Sequence, residues 1–267
     1  MHPIQSISNP LILNELKTFP LQAVIWGIID GNNQGELFEL CDKSILILES
    51  QSSEPFVFIA GPLSLKGIEE TIAYVSRFDY PMIYCQPKYH AFFLNKQFDF
   101  LLRVELQLEN PPGYTHIQND YTIEPILTFG VLQKCQGFKD TLNRYGTFEQ
   151  FIKYGKGYVL REEDRIVSEA YADYIGGGYL EIGVITHPKY RSLGFGTKIV
   201  TYLTKECLTQ QIIPVYSCHI SNRNSISLGL KAGFSISKYY VLMVPNVGNT
   251  LGKPLLGWIK DNPEWDI

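Results

Sequence analysis

Between Arg191 and Gly196 the chain reads Arg-Ser-Leu-Gly-Phe-Gly, with an apolar strand-like run before it and an apolar-periodic segment after it. A strand that feeds a glycine loop opening a helix leaves several main-chain N–H groups unpaired where the helix dipole is positive. Such a junction binds phosphate. Gly194 and Gly196 carry no Cβ, so ligand oxygens can approach the main chain and positive φ is accessible. From Ile182 through Lys205 the basic residues are Lys189, Arg191, Lys198 and Lys205, and no Asp or Glu interrupts them. The matching junction of the first half, AGPLSLKGIEET, has no arginine and carries Glu69 and Glu70 near the helix start, where they repel an anion. A bare tight turn is the alternative for any isolated Gly-x-Gly. The loop is not a P-loop, since no Gly-Lys-Ser/Thr closes it, and its glycine spacing is not that of a dinucleotide fingerprint.

The elements that must position this loop follow from apolar patterning. LQAVIWGIIDG and GELFELCDKSILILES read as strands around a GNNQG turn, and PFVFIAG as a third. Leu65, Ile68, Ile72 and Val75 recur at helical spacing behind Ser64 as N-cap. YPMIYCQ reads as a strand, KYHAFFLNKQF as a short helix and FLLRVELQLE as a strand; NPPGYTHIQND reads as a linker. The order then begins again: strand YTIEPI, a helical stretch broken at its glycines, a meander to Thr186, the loop, a helix with Ile199, Val200, Leu203 and Cys207 or Leu208 on one side, strand IPVYSCHI, helix NSISLGLKAG, strand FSISKYYVLMV, and an irregular tail. A net charge of −4 offers no broad basic surface for nucleic acid. Five scattered cysteines without CxxC spacing fit reduced thiols, and the N-terminus shows no signal-peptide pattern. No apolar run approaches the roughly 18 residues of a membrane span. A soluble, cytoplasmic protein is expected, without nucleic-acid or membrane partners and without a bound metal.

Arg191 through Gly196 resembles the Arg/Gln-x-x-Gly-x-Gly/Ala loop of the GNAT superfamily of acyl-CoA-dependent N-acyltransferases. EIGVITHPKYRSLGFGTKIV and SCHISNRNSISLGLKAGF, ending in Lys231-Ala232-Gly233-Phe234, are similar to that superfamily's fourth strand, third helix, fifth strand and fourth helix. VSEAYADY, EIG, YSC and NRNS most resemble the branch containing the zwittermicin A resistance acetyltransferase. The resemblance covers about residues 120–245. It implies acetyl-CoA as co-substrate, with Val184 and Thr186 offering main-chain groups to the pantetheine arm and Arg191, Ser192, Leu193, Gly194, Phe195 and Gly196 giving amides to the pyrophosphate. Thr197 would add a hydroxyl, and Asn222 a contact near the end of the fifth strand, unless Asn222 is only a helix N-cap. Acylation of an amine needs a base; the resemblance implies one on the fourth strand, which is Glu181, with Glu169 on the neighbouring strand brought close by a hairpin at Gly176–Gly178. Either carboxylate also reads as a plain strand residue or charge partner. The tyrosine that many members carry four residues before the Gly-Phe is Gly229 here, so the proton donor to the leaving thiolate is vacant or supplied elsewhere. Tyr216, Cys218 and His219 are substitutes by position, though a cysteine such as Cys218 is more often plain packing and a lone histidine such as His219 more often structural.

The first half repeats the element order without the anion loop. The expected fold is therefore α+β: a GNAT-like mixed, mostly antiparallel sheet flanked by helices over 116–267, with a degenerate copy over 1–115. The expected function is acetyl transfer to the amine of a small molecule by a monomer or homodimer. The alternatives are a non-catalytic acyl-CoA sensor or partner protein and a tandem-fold transferase using aminoacyl-tRNA, which the acidic balance disfavours.

Overall fold

The structure is a computed structural model that describes residues 1–49, 54–110 and 121–246. Most of the expected linker and the tail after Asn246 lie outside the described residues. In chain order the elements are β1 (His2–Ile4), α1 (Pro10–Leu16), α2 (Gln22–Ile29), β2 (Glu36–Glu39), β3 (Ile45–Leu48), β4 (Phe56–Ala60), α3 (Leu65–Val75), β5 (Met82–Tyr84), α4 (His90–Leu94) and β6 (Phe98–Leu108). There follow β7 (Tyr121–Pro125), α5 (Phe129–Gln133), α6 (Phe138–Tyr145), α7 (Phe148–Tyr154), β8 (Gly157–Glu162), β9 (Arg165–Gly176), β10 (Tyr179–Thr186), α8 (Phe195–Thr209), β11 (Ile213–His219), α9 (Arg223–Lys231) and β12 (Phe234–Pro245).

The chain divides into two compact units, and they are not the contiguous 1–115 and 116–267 expected from the linker. One unit takes Met1–Pro20, Gly35–Arg103 and the chain from Tyr239; the other takes Leu21–Gln34 and Val104–Lys238. The reason lies in a misread segment. LQAVIWGIIDG is not a strand but the helix α2, six of whose eight residues are buried, so it shows no face periodicity to betray it. It belongs to the second unit. Leu21 sits at its N-cap with φ 59 and donates its N–H to Glu105 Oε2 at 3.0 Å. The turn after it is tied to the end of β9: Asn33 Oδ1 accepts from the Ile175 amide at 2.9 Å, and Asp30 Oδ2 from that of Gly177 at 2.9 Å.

In the first unit, which takes β12 from Tyr239 on, the strands run β1-β2-β3-β4-β5-β12. GELFELCDKSILILES, read as one strand, is the hairpin β2–β3, closed by a turn with Lys43 at φ 69. β4 and β5 are parallel, and α3 crosses between them. Ser64 caps α3 and accepts from the Gly67 amide at 3.1 Å. The Asp42 carboxylate lies at the same helix end, where Oδ2 accepts from the Ser64 amide at 2.6 Å and its hydroxyl at 2.7 Å. A Cβ on Gly67 would fall 2.1 Å from that oxygen, so the carboxylate rests against the first turn itself. Burial disfavours the charge of Asp42, but the bonds from Ser44 and Ser64 outweigh it and lower its pKa.

The second unit, which takes β6 from Val104 on, runs β6-β11-β10-β9-β8-β7 and repeats the connection order. Antiparallel β8, β9 and β10 lead into α8, which crosses to β11, parallel to β10. α8 and α9 cover one face over a core of Leu160, Ile182, Phe195, Ile199, Leu203 and Phe234. α5, α6 and α7 form a second core with Tyr145, Phe151, Val159 and Tyr171.

Candidate functional site

β10 ends at Thr186, and a 3-10 turn at Pro188–Tyr190 leads into the glycine loop. Arg191 folds back over it, its Nε donating to the Thr186 carbonyl at 3.2 Å. Ser192 and Gly194 take left-handed backbone, φ 64 and 85, and Gly194 is the N-cap of α8. The helical ladder opens with the Lys198 amide donating to the Gly194 carbonyl at 3.0 Å. The amides of Phe195, Gly196 and Thr197 therefore precede the ladder at the positive helix end, an arrangement suited to an anion. The two glycines act differently. A Cβ on Gly194 would meet nothing within 4 Å, so conformation alone selects glycine; one on Gly196 would stand 2.8 Å from Leu228 Cδ1 and 3.0 Å from Thr186 Oγ1, so close packing selects it. Phe195 is buried, its ring against Tyr121 at 4.6 Å, and anchors the helix start. Leu193 is exposed.

β10 and β11 share three rungs, Tyr179–Ile213, Leu180–Pro214 and Glu181–Val215. Beyond the third, β10 runs on through Val184 to Thr186 and β11 to His219 without further pairing of the two among the described residues. Glu181 stands at the last rung, buried, and accepts from the Ser217 hydroxyl at 2.6 Å on Oε1. Tyr216 and Cys218 point to the α8–α9 core, so Ser217 between them faces the other side with Glu181. The β9–β10 register shifts between Glu181 and Ile182, where Asp173 bulges out. Its carboxylate pairs with Arg144 at 2.7 Å and lies over Gly183, where a Cβ would be 2.4 Å from Oδ1. Burial raises the Asp173 pKa against the pull of Arg144.

Glu169 does not join Glu181. The hairpin at Gly176–Gly178 forms as expected, but its register sets Glu169 opposite Ile185 and Glu181 opposite Tyr174. Glu169 is 1% exposed and accepts from the amides of Gln136 at 3.0 Å and Gly137 at 2.7 Å. Burial raises its pKa while these amides hold it down. It fastens the α5–α6 turn. It also helps line a cavity of about 480 Å³ with Lys134, Arg165 and His187.

Asn222 caps α9, its Oδ1 accepting from the Ser225 amide at 3.1 Å. At Gly229 a side chain would be crowded: a Cβ would lie 3.1 Å from Leu106 Cδ2 and 3.2 Å from the Tyr216 ring. The Tyr216 hydroxyl is 2.6 Å from that of Ser225, and burial pushes its pKa up to about 12. His219 Nδ1 bonds the Ser221 hydroxyl at 2.6 Å and closes a turn. Sequence reasoning missed Ser217 and the Arg144–Asp173 pair. Alternation in Val215-Tyr216-Ser217-Cys218 was the signal for Ser217, since it sets a lone hydroxyl on the face opposite the core positions. Among the described residues no three His, Cys, Asp or Glu side chains cluster to hold a metal, and no helix is long and apolar enough to cross a membrane.

The chain is similar to an uncharacterized N-acetyltransferase, YdfB, of Bacillus subtilis, 28% identical over 98 residues. That match covers 37% of this chain and 38% of the relative's own length. The fold is similar to that of a GCN5-related N-acetyltransferase-like protein from Streptococcus suis, with TM-score 0.65 and 19% identity over 87% of this chain and 98% of that one. It is also similar to a tandem GNAT protein from the clavulanic acid biosynthesis pathway, with TM-score 0.59 and 10% identity over 93% and 98%. The family model of GNAT acetyltransferases matches residues 87–243. That span holds the glycine loop, the three-rung opening and α9, and the chain belongs to the GNAT acetyltransferase family.

Proposed function

We propose that the protein is an acetyl-CoA-dependent N-acetyltransferase that transfers the acetyl group directly to the amine of a small molecule. The observation that supports this reading best is the pairing of an anion-ready helix end with a strand opening that has a buried carboxylate at its base. The amides of residues 191–197, the Arg191 guanidinium and the Thr197 hydroxyl would take the pyrophosphate, and the free edge of β10 at Val184 and Thr186 would pair with the pantetheine arm. Acetyl-CoA supplies an activated thioester. Glu181 then takes the proton that an alkylammonium must lose before its nitrogen can attack. Asn222 would serve as a cofactor contact besides capping α9. The second unit is the catalytic one on this reading. The first is a degenerate copy whose α3 end is filled by Asp42, so each chain binds one cofactor. The similarity to the zwittermicin A resistance branch directs the acceptor toward aminopolyol or amino-sugar antibiotics.

Titration calorimetry with acetyl-CoA tests the cofactor: one site per chain is expected, and no heat up to millimolar concentration overturns the reading. Thiol release across an amine panel tests the reaction. The crowding at Gly229, where many members of the family carry a tyrosine, favours a second reading, a non-catalytic acyl-CoA sensor. Binding without thiol release for any amine would select it.

A further inference from the structure

The last β10–β11 rung joins Glu181 to Val215, and the next side chain of β11 on the same face is Ser217. Its hydroxyl crosses to the Glu181 side chain, donating to Oε1 at 2.6 Å, a short bond between the two strands just where they cease to pair. Glu181 is 6% exposed, so this bond does not compete with bulk water. A carboxylate that accepts a hydroxyl proton is stabilised in its charged form and fixed in orientation. The β9–β10 register shifts beside it, with Asp173 over Gly183.

We propose that Ser217 is a positioning residue for Glu181: its hydroxyl, reaching across from β11, fixes the carboxylate at the mouth of the opening and favours the ionised form that accepts a proton. The inference rests on Glu181 being the base of the proposed reaction, but the bond itself is testable without turnover. Difference infrared spectra, with Glu181→Gln identifying the carboxyl band, titrate Glu181 directly. In Ser217→Ala the band should titrate about 1–2 pH units higher than in the wild type, the size expected for one charge-assisted bond. The acid limb of the kcat/KM profile should move with it, with acetyl-CoA affinity unchanged. Ser217→Thr keeps the hydroxyl and should return both. Ser217→Cys, a weak donor, should fall between them and serves if the alanine variant does not fold. Identical titration of Glu181 in the wild type and in Ser217→Ala or Ser217→Cys overturns the assignment. A shifted band with no transfer to any amine upholds the hold of Ser217 on Glu181 and overturns the transferase reading instead.

Discussion

Gly196 and Thr186 pack so closely that a methyl group on the glycine would stand 3.0 Å from the threonine hydroxyl. This contact seats the first turn of α8 on the end of β10, two residues after Gly194 has turned the chain through left-handed backbone. Replacing Gly194 by Ala should cost about 1–2 kcal/mol from conformation alone, and by Asn less. Gly196→Val should cost about 1–3 kcal/mol by overpacking against Leu228 and Thr186. Urea unfolding separates the two: equal losses for Gly194→Ala and Gly194→Asn would refute the conformational account.

Arg191→Glu should weaken acetyl-CoA binding by about 1–3 kcal/mol, by removing a charge-assisted contact to phosphate. Calorimetry reads this, and unchanged affinity removes Arg191 from the site.

Glu181 and Glu169 should part company under mutation. Glu181→Gln is expected to lower kcat by about 10²–10⁴ with acetyl-CoA affinity retained. Glu169→Ala leaves two buried amides without their acceptor and should destabilise by about 2–4 kcal/mol, while kcat at a permissive temperature stays near wild type. The Glu169 pKa is raised in the fold, so the folded state holds its proton more tightly and loses stability as pH rises from the unfolded value, about 4.3, through the folded one. Glu169→Gln should remove that slope, which stability measured between pH 4 and 7 would reveal.

His90, buried against Phe100 with ring centroids 5.5 Å apart, has its pKa lowered by burial. The unfolded chain binds a proton at about pH 6.5 and the fold resists it, so stability is full above that pH and is lost as pH falls toward the lowered value. The urea midpoint should drop between pH 7.5 and 5.5, and His90→Phe should flatten the drop. Parallel curves for the two proteins would exclude His90 as the cause.

The site was legible in the sequence where chemistry and backbone geometry coincide. Two glycines behind Arg191 located the loop and the helix it opens, and Gly176–Gly178 located the hairpin. Glu181 could be placed on its strand, but its distance from Glu169 depends on register, which a bulge at Asp173 sets and no local pattern displays. α2 was misread because a helix with six of its eight residues buried shows no clear polar face, and with it went the true division of the chain. Asp42 was unreadable because only the fold returns it to the end of α3, more than twenty positions along the chain.

That carboxylate gives the two units different thermodynamics. α3 carries its counter-ion, the Asp42 carboxylate, as part of the chain. On the proposed function α8 takes its counter-ion from solution, and its unit gains RT ln(1 + [L]/Kd) from bound cofactor, about 2.7 kcal/mol at a hundred times Kd. In hydrogen exchange, acetyl-CoA should slow the amides of α8 and leave those of α3 untouched, so that one half of the chain registers the metabolic supply of acetyl groups and the other does not.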